Sequence, residues 1–263
     1  MSDLDGTLLQ NNQTVSDYTK RAINELVSRG MLFTFATARS METADIVTNG
    51  LKISAPCVLY NGVFVRDIDN SIILSHLFAE RDKNIVSELI SAGIFPIVYS
   101  IIGGREKFSF IAEKLNHATA EFIKTRKECA RYNPVQTERE LLYGDMFYIT
   151  CMGEAEKLTP FYNRYKNEYY CVYSNDIYSG EQWLEILPKR ATKANALCEL
   201  KKLLDCRLVV FGDGKNDIEM FGVADECYAM ENAVDELKAI ATEVIKSNNS
   251  DGVAKQLLKL YKS

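Results

Sequence analysis

Two glycine-flanked acidic clusters, one near each end of the chain, constrain what this sequence can fold into. The first, Asp3-Leu4-Asp5-Gly6-Thr7-Leu8-Leu9, sets two carboxylates two residues apart ahead of a glycine. In extended backbone, side chains at i and i+2 share a face. Asp3 and Asp5 are therefore expected to converge on one pocket at a strand end, where Gly6 lets the chain turn. Such a pair can bind a hard cation and attack an electrophile; alone, it reads equally well as a solvated acidic turn. The second cluster, Val209-Val210-Phe211-Gly212-Asp213-Gly214-Lys215-Asn216-Asp217, closes an apolar run with the character of a buried strand. Its recurrence turns the first cluster into a candidate site.

Between them, residues 31–36 read as a buried strand ending in Thr37-Ala38-Arg39-Ser40, and residues 41–49 as a helix. A Thr37 hydroxyl beside a helix amino terminus makes a phosphate seat; a helix cap is its other reading. Thr192 is placed to cap a helix over 193–204, which Lys193 opens. In order and spacing, these four segments resemble the motifs of the haloacid dehalogenase-like phosphohydrolases. Asn61-Gly62, Ile218-Glu219-Met220-Phe221, Tyr228-Ala229-Met230-Glu231-Asn232-Ala233 and Asn249-Ser250-Asp251-Gly252-Val253-Ala254 are similar to the Cof-like branch, subfamily IIB.

The resemblance implies an α/β fold: a Rossmann-like, mainly parallel sheet with helices on both faces and a large inserted α/β cap. The core is expected over 1–76 and 182–263, and the cap over 77–181. It further implies a Mg²⁺-dependent phosphatase of small phosphorylated metabolites, such as sugar phosphates or related monophosphates, working through an aspartyl-phosphate. Asp3 would be the nucleophile and Asp5 the acid/base. Asp3, the Asp5 carbonyl and Asp213 would hold the ion with Asp217 in support. Thr37, Arg39, Asn61, Lys193 and Asn216 would meet phosphate or substrate, although Asn61 also suits a plain turn and Asn216 a local turn bond. Lys193 is preferred to Lys189 and Arg190 because the family motif places its lysine at the opening of this helix. Ala38 and Ala194 replace the family's usual glycines. A sugar phosphomutase and a non-catalytic phosphometabolite-binding protein are the competing readings.

Only Met1 and Ser2 precede Asp3, where the family carries an apolar strand, so an amino-terminal truncation is expected. In a chain of 263 residues, 47% hydrophobic content allows a substantial core. A net charge of −5 with interspersed signs argues against nucleic-acid binding or a polybasic membrane surface. The cysteines are scattered without a C-x-x-C pair, which speaks against a disulfide framework or a zinc site and for a cytoplasmic setting. His76 and His117 are assigned no role. In the middle of the chain, helical patterns over 82–92, 113–131 and 156–166 alternate with strand-like runs at 96–100, 107–111, 146–151 and 169–173. That alternation suits an α/β insert. The strand 182–188 is read as the return to the core.

Overall fold

The computed structural model describes residues 1–175 and 181–261. The chain divides into two compact units, Met1–Ser75 with Ala191–Ser263, and His76–Arg190.

Ser2 lies at the centre of the first unit's sheet, bridging in parallel to Phe35 on one side and Phe211 on the other. Its N–H donates to Thr34 O (3.0 Å), its carbonyl accepts from Ala36 (3.0 Å), and the Asp3 N–H donates to Phe211 O (2.9 Å). Beyond residues 33–36 lies Cys57–Leu59, reached through the Ala36–Val58 bridge, followed by the antiparallel strands Phe64–Arg66 and Ile72–Ser75. On the opposite side Val209–Gly212, Glu226–Met230 and Glu243–Ile245 run parallel. The chain thus winds outward from Ser2 in one direction, and after the insertion outward in the other. Asp3 stands beside the point where the winding reverses, the place where sheets of this kind leave a crevice for ligands.

Continuous apolar runs suit strands covered on both faces, and Phe33, Phe35, Val210 and Phe211 are all at most 1% exposed. The helix Asp17–Ser28 is started by Ser16, whose side chain accepts the Thr19 amide, and it buries Ala22, Ile23 and Leu26 as one stripe. It packs against Gly252–Leu260. Truncating a fully buried residue such as Leu26 to alanine should cost about 2–5 kcal/mol.

The second unit is built on a six-stranded sheet in the order Tyr132–Val135, Arg105–Ile111, Ile97–Ile102, Asp145–Gly153, Gln182–Leu187, Tyr170–Asn175. All neighbours are antiparallel except the first pair. The helices Asn84–Ser91 and Ala155–Tyr165 contribute Val86, Leu89 and Leu158 to a core shared with Val98, Ile149, Leu184 and Ile186.

Two expectations are corrected here. The strand Gln182–Leu187 pairs with Asp145–Gly153 and Tyr170–Asn175, so it belongs to the second unit and the change of unit falls at Ala191. Its alternation, with Leu184 and Ile186 buried and Trp183 and Glu185 less so, is the signature of a sheet with one apolar face, unlike a central parallel strand. The stretch 113–131, expected to be helical, is α-helix only over His117–Lys124, after a 3-10 turn at Ala112–Lys114, and leads into the strand Tyr132–Val135. Pro134 disguised that strand; it is tolerated because this is the sheet's edge. Among the described residues, no helix is long and apolar enough to cross a membrane.

Candidate active site

Asp3 is still extended (φ −63°, ψ 162°), but directly after it the backbone leaves the strand in a wide turn, Leu4–Leu8. The Leu9 amide closes that turn on Leu4 O at 2.8 Å. Gly6 has φ +78°, and a Cβ there would come 2.3 Å from Asp213 Oδ2, so both backbone and space demand glycine. The turn also separates the two carboxylates. Asp3 is buried, whereas the Asp5 side chain, 46% exposed, accepts from Arg39 Nε (2.7 Å) and Nη2 (2.5 Å). Arg39 Nη2 donates to Gln13 Oε1 as well. Asp3 and Asp5 thus take different hydrogen-bond partners, because the backbone leaves the strand directly after Asp3.

Asp3 converges instead on residues from the far end of the chain. Lys193 Nζ, 1% exposed, donates to Asp3 Oδ1 at 2.6 Å and to Asp217 Oδ1 at 2.8 Å. Asp217 Oδ2 accepts the amides of Asp213 (3.0 Å) and Gly214 (3.1 Å), so both its oxygens are engaged. Asp213 Oδ1 accepts the Thr7 hydroxyl at 2.6 Å. Thr192 caps the helix Lys193–Leu204 and thereby fixes where the lysine emerges. Gly62, at φ +108°, lets the loop after Cys57–Leu59 lie against that cap, since a Cβ would meet Thr192 O at 2.3 Å.

Ligand atoms of Asp3, Asp213 and Asp217 lie within 4.8 Å of one another. Three carboxylates against one ammonium leave a formal charge of −2 in a largely buried place. Burial pushes the Asp3 carboxyl well up, with Lys193 opposing and Asp217 and Asp213 adding to the rise. Asp213 is pushed up to about 6, by burial first, with the Thr7 hydrogen bond opposing and Asp217 contributing. Burial opposes the Lys193 charge, but Asp217 and Asp3 outweigh it and lift the ammonium's pKa, so the lysine stays protonated. An all-oxygen donor set with unbalanced negative charge fits a hard divalent cation such as Mg²⁺.

Thr37 is 1% exposed and its Oγ1 accepts the Arg39 amide (3.1 Å). It does not cap the following helix: Met41–Val47 is capped by Ser40. Asn61 adopts φ +54° and donates its amide to Thr37 O (2.9 Å), which ties the two loops together. Its Oδ1 accepts Asn216 Nδ2 at 3.4 Å, a long-range contact in place of a purely local turn bond. Of the competing cations, Lys189 lies in the other unit and donates to Asn167 O. Three residues outside the expected set also hold this loop: Thr7, Gln13 and Asn232, the last of which donates to Gly6 O at 2.8 Å. Thr7 and Asn232 were in view as motif members without a task; Gln13 carried no signal at all.

Comparison with known proteins bears on this constellation. Residues 1–257 match the family model of haloacid dehalogenase-like hydrolases. The chain is 29% identical to the 5-amino-6-(5-phospho-D-ribitylamino)uracil phosphatase YwtE of Bacillus subtilis, over 96% of this chain and 94% of that protein. It is 26% identical to a putative phosphatase of Buchnera aphidicola, over 99% and 97%. Among solved structures it resembles TM0651 of Thermotoga maritima (TM-score 0.79, 25% identity, 98% and 95% covered). It also shares its fold with the subclass IIB sugar phosphatase BT4131 (TM-score 0.76, 18% identity, 99% and 97% covered). The chain belongs to the haloacid dehalogenase-like hydrolases, in the Cof-like phosphatase branch of that family.

Proposed function

We propose that the protein is a Mg²⁺-dependent phosphatase of small phosphorylated metabolites, sugar or polyol monophosphates above all, acting through an aspartyl-phosphate on Asp3. The observation that carries this reading is the buried Asp3–Lys193–Asp217 group beside Asp213, with its excess of negative charge. Mg²⁺ held by Asp3, the Asp5 carbonyl and Asp213 would offset that charge and draw in the phosphate dianion. Asp217, already engaged by Lys193 and two amides, supports the arrangement from behind.

Asp3 attacks phosphorus in line and the bond to the leaving oxygen breaks. Lys193 holds Asp3 in place and, with the Thr37 hydroxyl, balances charge on the transferring phosphoryl group. Asp5 donates a proton to the departing alkoxide, then takes one from the water that hydrolyses the aspartyl-phosphate. For this, Asp5 must leave Arg39, and an incoming phosphate ester is the natural competitor for that guanidinium. Arg39, Asn61 and Asn216 would meet the substrate.

The inserted unit contributes none of these groups, and we assign it the cap's task of selecting the leaving group. The ribityl phosphate named for one relative and the sugar phosphatase among the fold neighbours both point to polyhydroxylated substrates. The test is release of p-nitrophenol from p-nitrophenyl phosphate with and without Mg²⁺, beside Asp3→Asn. Metal-dependent release that the variant loses is the expected result; equal release by the variant would remove Asp3 from the chemistry.

A further inference from the structure

The turn that carries Asp5 is anchored from outside by two asparagines that the chemistry above leaves without a task. Asn232 Nδ2 donates to Gly6 O (2.8 Å), and its Oδ1 accepts the Asn248 amide (3.1 Å). Asn248, 4% exposed, turns its own Nδ2 to Leu9 O (2.9 Å) and to Asn11 Oδ1 (3.0 Å). Asn249 Oδ1 accepts the Asn11 amide (3.0 Å). The Gly6 carbonyl inside the turn and the Leu9 carbonyl at its exit are thus held by two asparagine side chains from the opposite end of the sequence, themselves joined through the Asn248 backbone N–H. The bond that closes the turn runs from the Leu9 amide to Leu4 O, so it uses neither of these two carbonyls. A side-chain amide suits the task because Asn232 must donate at one end and accept at the other. A carboxylate would set oxygen against oxygen at Gly6.

We propose that Asn232 and Asn248 are positioning residues for the acid/base: they fix the turn and so place Asp5 for proton transfer to the leaving group. The inference rests on the reading of Asp5 as general acid. Misplacement of a reacting group by about 1 Å can cost about 100-fold in rate, and the loss falls on the step that needs the proton. Departure of p-nitrophenolate needs little protonation, whereas departure of an alkoxide needs it fully. Loosening the turn should therefore be felt selectively.

The experiment compares kcat/KM, which reports phosphoryl transfer to Asp3, for p-nitrophenyl phosphate and glycerol phosphate in the full chain with Mg²⁺. The variants are Asn232→Ala, Asn248→Ala and Asp5→Ala. Asn232 is exposed, so its truncation leaves the fold intact even where loss of the buried Asn248 does not. The expected result is a fall of about 10- to 100-fold on glycerol phosphate, a several-fold smaller fall on the aryl ester, and the same selectivity in stronger form for Asp5→Ala. Selective loss in Asp5→Ala with equal or no losses in both asparagine variants would overturn the positioning role and leave the acid/base reading standing. Equal losses in Asp5→Ala would overturn the acid/base reading and this inference with it.

Discussion

The two units give a raised carboxyl different neighbours. In the first, Asp3 and Asp217 share the Lys193 ammonium, and Asp217 also takes two backbone amides. In the second, Glu185 lies half-buried on the sheet beside Tyr148, and its carboxyl is pushed up to about 7 by burial, with the tyrosine hydrogen bond opposing. Tyr99 and Tyr148 are themselves raised, Tyr99 to about 12, by burial and then by the nearby Glu185. The first site crowds three carboxyls around one ammonium, and burial raises Asp3 and Asp213 there, a strain that a cation and a phosphate would resolve. The other relieves its charge by holding a proton near neutral pH. Burial raises carboxyls in both units; what marks the reacting centre is three of them gathered with an ammonium.

Asp3→Asn breaks this contrast most severely. It should lower turnover by about 10⁴-fold or more, as loss of a nucleophile does. Because it removes one charge from an overcharged cluster, the metal-free protein should melt no lower than wild type, which circular dichroism would check. Lys193→Ala should do the reverse in stability, leaving Asp3 and Asp217 buried without their cation. Breaking a buried pair in this way costs about 3–5 kcal/mol, readable as a drop in the urea midpoint, and phosphate turnover should fall with it.

Metal and pH sharpen the comparison further. A carboxyl whose pKa rises on folding favours the folded state most while protonated, so its contribution is full below the ordinary carboxylate range. It is lost as pH climbs through the folded value. With Asp3 raised and Asp213 near 6, metal-free protein should lose thermal stability between about pH 4 and pH 6. Mg²⁺ should restore it, by about 2.7 kcal/mol at a hundredfold excess over Kd, and far more effectively at pH 7.5 than at pH 5. Differential scanning fluorimetry across this range, with and without Mg²⁺, measures both. The smallest effect is expected from Glu185→Gln. The wild-type carboxyl loses its favourable contribution as pH rises toward 7. The variant should then be the more stable above pH 7 by about 1 kcal/mol, allowing for partial solvent screening, with indistinguishable melting below pH 5.

The pattern of what could be read from sequence follows the same division. The strands on either side of Ser2, the helix opened by Lys193 and the acidic loops were legible because buried parallel strands are unbroken apolar runs and the polar residues stand at their ends. Lys193 could be chosen over Lys189 and Arg190 from its place at a helix start. What escaped was set by partners distant in the chain. The departure of Asp5 toward Arg39 depends on a turn that follows the strand at once, and the capture of that turn by Asn232 spans 226 residues. The strand Gln182–Leu187 was assigned to the wrong unit because its own pattern says that it is a strand, not which sheet will take it. Residues 132–135 hid behind Pro134, which only an edge position permits.

The central claim is covalent: phosphate passes through Asp3. Acid quenching during turnover of a phosphate ester with Mg²⁺, followed by borohydride reduction, converts an aspartyl-phosphate to homoserine, which peptide mass mapping locates. Homoserine at position 3, dependent on substrate and metal, is the predicted result. Homoserine at Asp213 or Asp217, or at no aspartate while phosphate is released, would contradict it.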